Sequence, residues 1–300
     1  MHRHQRGRRL LAAGLVLGTL LGATACATET TSPPSSVEQP VVPALDVEAL
    51  KAELPANVRT SGSLEVATSS PFAPMEFRRG TDLVGFDVDL VTSIGRTLGL
   101  KVKFTEVEFP ELISEVAAGK HDMGMRGLFD TKERERQVDM VTYLRAGTQW
   151  ARRSGTDVDP YNACGKRVGA EAATTQLTVE LPAKQRACEV VGRPGIDIVS
   201  YPTETAAMES LVSGRVDAVS ADSPVTLYAA NESGGKLEPA GHAFDTLPYA
   251  FPVRKGSALG KVLQKVVDHL ISTGQLKTIA ERWGLQRGVV KKSTINAAIN

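Results

Sequence analysis

The sequence is poor in the groups that metal and redox chemistry use: three cysteines and five histidines are spread over 300 residues. No His or Cys pair stands at zinc spacing, and there is no Rossmann glycine fingerprint, P-loop or nucleophile elbow. No metal and no cofactor is expected. Charge of one sign is also missing, because 35 Lys and Arg face 34 Asp and Glu for a net +1. That balance gives no argument for nucleic-acid binding. An apolar run long enough to cross a bilayer is lacking as well. Leu10 to Ala25 is too short, follows four arginines and no acid in Met1 to Arg9, and ends in the small residues Ala23-Thr24-Ala25. This is the pattern of a cleaved secretory signal peptide. Its removal takes the net charge from +1 to −3.

What remains has a 42% hydrophobic composition, enough for one large domain or two medium ones. Residues 27–44 are rich in Thr, Ser and Pro with little that packs, and read as a tether. Asp46 to Leu54 reads as a short helix capped by Asp46. From Gly62 strands and helices alternate: strand Ser63–Thr68, helix Gly85–Gly99, strand Lys101–Val107, helix Pro110–Gly119, strand His121–Met125. A second unit follows: strand Arg167–Ala170, a helix near Thr175–Leu181, strand Asp197–Tyr201, helix Glu204–Ser213, strand Val216–Ser220. Such alternation predicts parallel sheet covered by helices, an α/β fold. Gln149–Arg153 and Pro248–Arg254 are extended stretches on either side of the second unit. If both cross between units, the second lobe is inserted into the first and a two-strand hinge joins them.

The expected organisation is a signal peptide at 1–25, a tether and short helix at 26–60, and a first lobe at 61–150 plus 248–285. Residues 151–247 form the second lobe, and 286–300 a polar tail with no assigned element. Cys164 and Cys188 both fall in the second lobe. In an exported chain a disulfide is the default for such a pair, two separately buried thiols the alternative. The stretch Asp82 to Arg134 gathers turn glycines, strand ends and one cation, as an α/β lobe does to hold a small anion.

Six strings carry a resemblance. They are Pro71-Phe72-Ala73-Pro74-Met75-Glu76, Gly85-Phe86-Asp87-Val88-Asp89-Leu90, Gly119-Lys120-His121-Asp122, Thr131-Lys132-Glu133-Arg134, Thr174-Thr175-Gln176 and Gly214-Arg215-Val216-Asp217-Ala218. In this order and spacing the chain resembles the family 3 extracellular solute-binding proteins, the polar amino acid receptors of ABC importers, over roughly Gly62 to Leu285. The resemblance implies a two-lobed, periplasmic-binding-protein-like fold of type II. It implies a monomer that closes on a free amino acid and serves a permease and its ATPase. Ala23-Thr24-Ala25-Cys26 resembles a lipobox, with Ala23 in place of the usual Leu. Cys26 would then carry a lipid and hold the protein on the outer face of a bacterial cell membrane, as in actinobacterial lipoproteins. An unmodified Cys26 on a secreted protein is the alternative.

The resemblance also implies the site. Arg134 matches the cation for the ligand α-carboxylate, a task suited to the guanidinium fork. Its plain alternative is an exposed helix arginine. Asp222 matches the carboxylate for the α-ammonium, or else caps a helix before Ser223-Pro224. Thr175 matches a hydroxyl and amide that close on the carboxylate, and could equally be an N-cap. Phe72 matches the aromatic that stacks on the ligand side chain. Two residues depart from the family. Phe129 replaces a common hydroxyl and shifts work to backbone amides, including that of Gly127. Arg126 replaces a small residue and offers a second cation, which would select glutamate, aspartate or glutamine. The alternative has it turned outward or paired with Glu76 or Asp130. Asp87 and Asp89 are read as solvent-facing helix caps. An enzyme resembling cyclohexadienyl dehydratase, with Glu76, Glu171 or Asp222 as its acid, and a ligand sensor for a signalling partner are the competing readings.

Overall fold

A computed structural model of the chain describes residues 44–299. The expected signal peptide, Cys26 and the tether up to residue 43 lie outside the described residues. Among the described residues no helix is long and apolar enough to cross a membrane.

Helix α1 (Val47–Glu53) starts where expected, with the Asp46 carboxylate accepting from the Ala49 N–H at 3.0 Å. After α2 (Ala56–Ser61) come β1 (Ser63–Thr68), the hairpin β2 (Phe77–Arg79) and β3 (Asp82–Val84), and α3 (Phe86–Leu98). They are followed by β4 (Lys101–Glu106), α4 (Phe109–Ala117), β5 (Met123–Met125) and the four-residue α5 (Lys132–Glu135). The chain then crosses on β6 (Val138–Arg153) and forms β7 (Arg167–Glu171), α6 (Leu181–Val190) and β8 (Asp197–Tyr201). Next come α7 (Glu204–Val212), β9 (Ala218–Asp222) and α8 (Ser223–Glu232). It returns on β10 (Leu237–Arg254) and ends with α9 (Ala258–Ser272) and α10 (Gln275–Arg282).

Apart from the β2–β3 hairpin, the strands make one sheet in the order β4-β1-β5-β10-β6-β9-β7-β8. β1 lies parallel between β4 and β5, and β7 lies parallel between β8 and β9. The long strands β6 and β10 run antiparallel between these two parallel sets. Each set has its own core, so the sheet carries two lobes. In lobe 1, Leu90, Val91, Ile94 and Leu98 of α3 and Val262, Leu263, Val266 and Leu270 of α9 are all buried. They sit three and four residues apart, and each contributes roughly 1.5–3 kcal/mol by leaving water. In lobe 2, Trp150, Val168, Leu181 and Ile196 pack together in one cluster, and Ala207, Leu211, Val216 and Val219 in another. The expected Cys164–Cys188 disulfide is formed and closes lobe 2.

The two crossing strands are much longer than the short stretches read from sequence. Their pairing slips between Ala240 and Phe244, between Phe244 and Leu247, and between Tyr249 and Ala250. These irregularities fall where the strands pass between lobes. There Gly147 lies so close to the partner strand that a Cβ would stand 2.6 Å from the Phe244 carbonyl oxygen. Bulged pairing and a bare backbone make this the segment most able to bend.

Three expectations need correction. The helix near Thr175–Leu181 is a π-helical turn, Gln176–Glu180, continued by α6 as far as Val190. Helix α8, expected only as the alternative in which Asp222 caps a helix at Ser223-Pro224, is formed, although its sequence carries no clear apolar stripe. Residues 286–300, expected as a polar tail without an element, include a segment paired to the edge of β6 through the bridges Leu144–Val289 and Val141–Ile295.

Candidate ligand-binding site

Between the lobes lies a cleft of about 870 Å³. Lobe 1 lines it with Phe109, Ile113, Phe129 and Arg134, lobe 2 with Thr175, Val179 and Glu180. Arg134 is presented by α5. Thr131 caps that helix by accepting from the Arg134 N–H at 3.3 Å, and the Arg134 guanidinium donates to the Phe129 carbonyl at 2.8 Å. Its Nη1 is thus anchored, while no carboxylate among the described residues forms an ion pair with it. Burial lowers its pKa to about 10, against the attraction of Asp222, so it stays cationic at neutral pH.

Asp222 ends β9 on the lobe 2 side and is buried. Its carboxylate accepts from the Tyr249 hydroxyl and, at 2.6 Å, from the Gln176 amide. Burial raises its pKa to about 6, opposed by those two hydrogen bonds and by the charges of Arg126 and Arg134. It is the N-cap residue of α8, as the alternative expected, but its side chain makes no capping hydrogen bond and is turned to Gln176 and Tyr249 instead. Thr175 lines the cleft, half-buried, and donates to the Gln176 side-chain oxygen at 3.2 Å. The hydroxyl that caps the turn is that of Thr174, which accepts from the Leu177 N–H at 3.2 Å.

Arg126 is neither turned outward nor paired with Glu76 or Asp130. Its Nη2 donates to both oxygens of Glu171 at 2.5 Å, and both side chains are buried. Arg126 belongs to lobe 1 and Glu171 to the end of β7 in lobe 2, so the pair ties the lobes together. The guanidinium lies between the Phe72 and Phe109 rings, 3.8 and 3.9 Å from their centroids. Phe72, expected to stack on a ligand, here stacks on Arg126. Its loop is held by Gly85 (φ 144°), whose missing side chain lets the Met75 carbonyl approach to where a Cβ would clash at 2.1 Å.

Two further expectations change. The Gly127 N–H donates to Asp87 at 2.9 Å, inside lobe 1, and is not offered to the cleft. Asp87 is fully buried and also accepts from the Tyr143 hydroxyl at 2.8 Å, so it is neither a cap nor solvent-facing. Burial raises its pKa to about 7. Asp89 is part-exposed and meets Trp283 Nε1 at 2.9 Å. Phe129 lines the cleft, packs on Tyr249 with ring centroids 5.0 Å apart, and lends Arg134 its carbonyl.

Several buried carboxyls lie close enough to Arg126 to feel its charge. Glu76 and Glu204 have pKa values raised well above the usual range, first by burial and then by neighbouring carboxylates. Both oxygens of Glu76 and one of Glu204 lack a hydrogen-bond partner among the described residues. Glu171 is raised by burial despite Arg126, and Glu180, at the cleft wall, is raised to about 7. Sequence reading missed Phe109, Gln176 and Tyr249. Gln176 directly follows Thr175 and Tyr249 follows the hinge residue Pro248, while Phe109 precedes the helix expected from Pro110 and carries no other signal.

The chain matches the model of the bacterial extracellular solute-binding proteins, family 3, over residues 64–286. It belongs to that family. It is 33% identical to the arginine-binding protein ArgT of Corynebacterium glutamicum, over 96% of each chain. It is 27% identical to the probable amino-acid-binding protein YxeM of Bacillus subtilis, covering 73% of this chain and 83% of that one. Among solved structures, an ancestral arginine-binding protein bound to arginine is similar with a TM-score of 0.67 and 30% identity, over 74% of this chain and 98% of that one. An ancestral amino acid-binding protein, a precursor of cyclohexadienyl dehydratase, is similar with a TM-score of 0.64 and 25% identity, over 76% and 97%. As a family 3 member the chain shares its two-lobed fold with amino acid-binding proteins.

Proposed function

We propose that the protein captures a free amino acid with a cationic side chain between its lobes and delivers it to an ABC importer. In this reading it is a monomer held on the outer face of the membrane by a lipid on Cys26, and the permease and its ATPase are its partners. The observation that carries the reading is the placement of Arg134 on one wall and Asp222 across the hinge, with charges close enough to shift one another. A guanidinium grips an α-carboxylate through paired hydrogen bonds, and an ionised Asp222 accepts from an α-ammonium. Closure removes water and strengthens both contacts, and a ligand touching both lobes stabilises only the closed state.

The class of side chain is inferred from the relatives. Arg126 is occupied by Glu171 and is not offered to an acidic ligand side chain. The relatives named above as arginine-binding support a cationic one. The glutamate, aspartate or glutamine reading requires Arg126 to leave Glu171. One observation favours it: a structurally similar ancestral arginine-binding protein is also found bound to glutamine. The dehydratase reading gains from Glu180, a cleft-wall carboxyl poised near neutral pH, though Trp150 and Ser220 hold it by hydrogen bonds at 3.2 and 2.9 Å.

A thermal-shift screen against the twenty amino acids and prephenate separates these readings, since a ligand of the folded state raises the melting temperature. Arginine, lysine or histidine should give the largest shift. A shift with glutamate alone, or consumption of prephenate, would replace the reading.

A further inference from the structure

The family match stops at residue 286, yet the chain beyond it is built into lobe 1. Ser293 is fully buried: its hydroxyl donates to the Thr142 carbonyl at 2.7 Å and its N–H to Asp268 at 2.6 Å. Thr294 exchanges hydrogen bonds with Thr142, and the Asn296 side chain accepts from the Met140 N–H at 2.9 Å and donates to Asp139 at 2.9 Å. The segment is thus zipped to β6 on the lobe 1 side of the hinge. Asn296 then takes a left-handed conformation (φ 59°), which asparagine tolerates, and turns the chain off the strand.

After that turn, the Ala297 N–H donates to the Asp130 carboxylate at 2.7 Å, and the Ala298 N–H donates to Glu135 at 2.8 Å. Asp130 and Glu135 bracket α5, the helix that presents Arg134. The Asp130 N–H is bonded in turn to the Pro248 carbonyl of hinge strand β10 at 2.8 Å, and Lys255 donates to the Glu135 carbonyl. A four-residue helix holds little shape of its own, so its orientation depends on such ties. We propose that residues 289–298 are a strap that fixes the Asp130–Glu135 segment and so positions Arg134 for the ligand carboxylate. This rests on the reading of Arg134 given above. Burial, with the like charge of Glu135 adding to it, raises the Asp130 pKa to about 7, and the Ala297 N–H of the strap opposes that rise by favouring the ionised carboxylate.

The test uses the chain with Ala297→Pro and Ala298→Pro together, which removes both N–H donors, and Ala297→Gly with Ala298→Gly as a control that keeps them. Amide exchange is read first, without ligand. Residues 131–136 should exchange faster in the proline pair while lobe 2 stays at the parent rate, and an unchanged segment would overturn the strap. Calorimetry with L-arginine and L-argininamide follows, because the amide lacks the carboxylate. Preference for the acid should fall about tenfold in the proline pair, the scale of one or two weakened charge-assisted contacts, and stay near the parent in the glycine pair. Equal loss for both probes, or no loss, would show a structural role only and overturn the positioning. If Arg134→Ala keeps the parent preference, the site reading fails instead, and the positioning role fails with it. If Arg134→Ala loses the preference and the proline pair does not, only the strap fails.

Discussion

Lobe 1 and lobe 2 use the same order of strands and helices but are held together by different means. Lobe 1 packs two amphipathic helices on its sheet and is belted by its own C-terminal segment. Lobe 2 divides its apolar residues into two smaller clusters and is closed by a disulfide. The site follows the same division. Lobe 1 offers a cation anchored by a cap, a carbonyl and a strap, whereas lobe 2 offers a carboxylate held by the Gln176 amide and a Tyr249 hydroxyl from hinge strand β10. In the function proposed above, each half is held by its own hydrogen bonds, and closure would bring both to one ligand.

The sharpest way to break this division is at the pair that spans it. Arg126→Met strands a buried Glu171 and should cost ~3–5 kcal/mol of stability, while Arg126→Met with Glu171→Leu should recover most of it. Denaturant titration reads both, and an unrecovered double variant would mean that the pair is not simply an interlobe tie. Next in size, Arg134→Ala should weaken amino acid binding by roughly 2–5 kcal/mol, while loss of its hydrogen bond to the Phe129 carbonyl should lower stability by only about 1 kcal/mol. Calorimetry that finds parent affinity would remove lobe 1 from the carboxylate site. Replacing Cys164 and Cys188 with serine should lower stability by roughly 3.5 kcal/mol, the chain-entropy value for a loop of this size. The loss should appear as earlier exchange of lobe 2 amides only; equal loosening of lobe 1 would show that the lobes do not open separately.

Asp222 gives the smallest and most specific effect. Its pKa, raised from 3.8 to about 6, means that the ligand-free fold favours the protonated form. Its contribution to stability is therefore full below pH 3.8 and is lost as pH rises through about 6. Binding has the opposite sign, since an ammonium pairs with the ionised form. Affinity should be level above pH 6 and fall by up to about tenfold per unit below it. A calorimetric series with Asp222→Asn checks this: the variant should lose the pH dependence, and a retained dependence would assign it to another group.

Much of this was legible in the sequence because it depends on local rules. The Asp46 cap, the α3 stripe from Leu90 to Leu98, the strand Ser63–Thr68 and the cysteine pair are each decided by spacing or by compartment. What stayed hidden depends on partners far along the chain. Arg126 finds Glu171 45 residues away, and Asp87 is buried because a backbone N–H and a tyrosine hydroxyl meet it. The tail is fixed by main-chain donors to Asp130 and Glu135, which leave no apolar period to read.

A crystal structure with the amino acid that raises the melting temperature most would decide the clamp. The ligand α-carboxylate should lie within about 3 Å of the Arg134 guanidinium and its α-ammonium within about 3 Å of Asp222, at ordinary hydrogen-bond lengths. A ligand held by one lobe alone, or with Arg134 turned away from its carboxylate, would show that the two halves described here do not make one site.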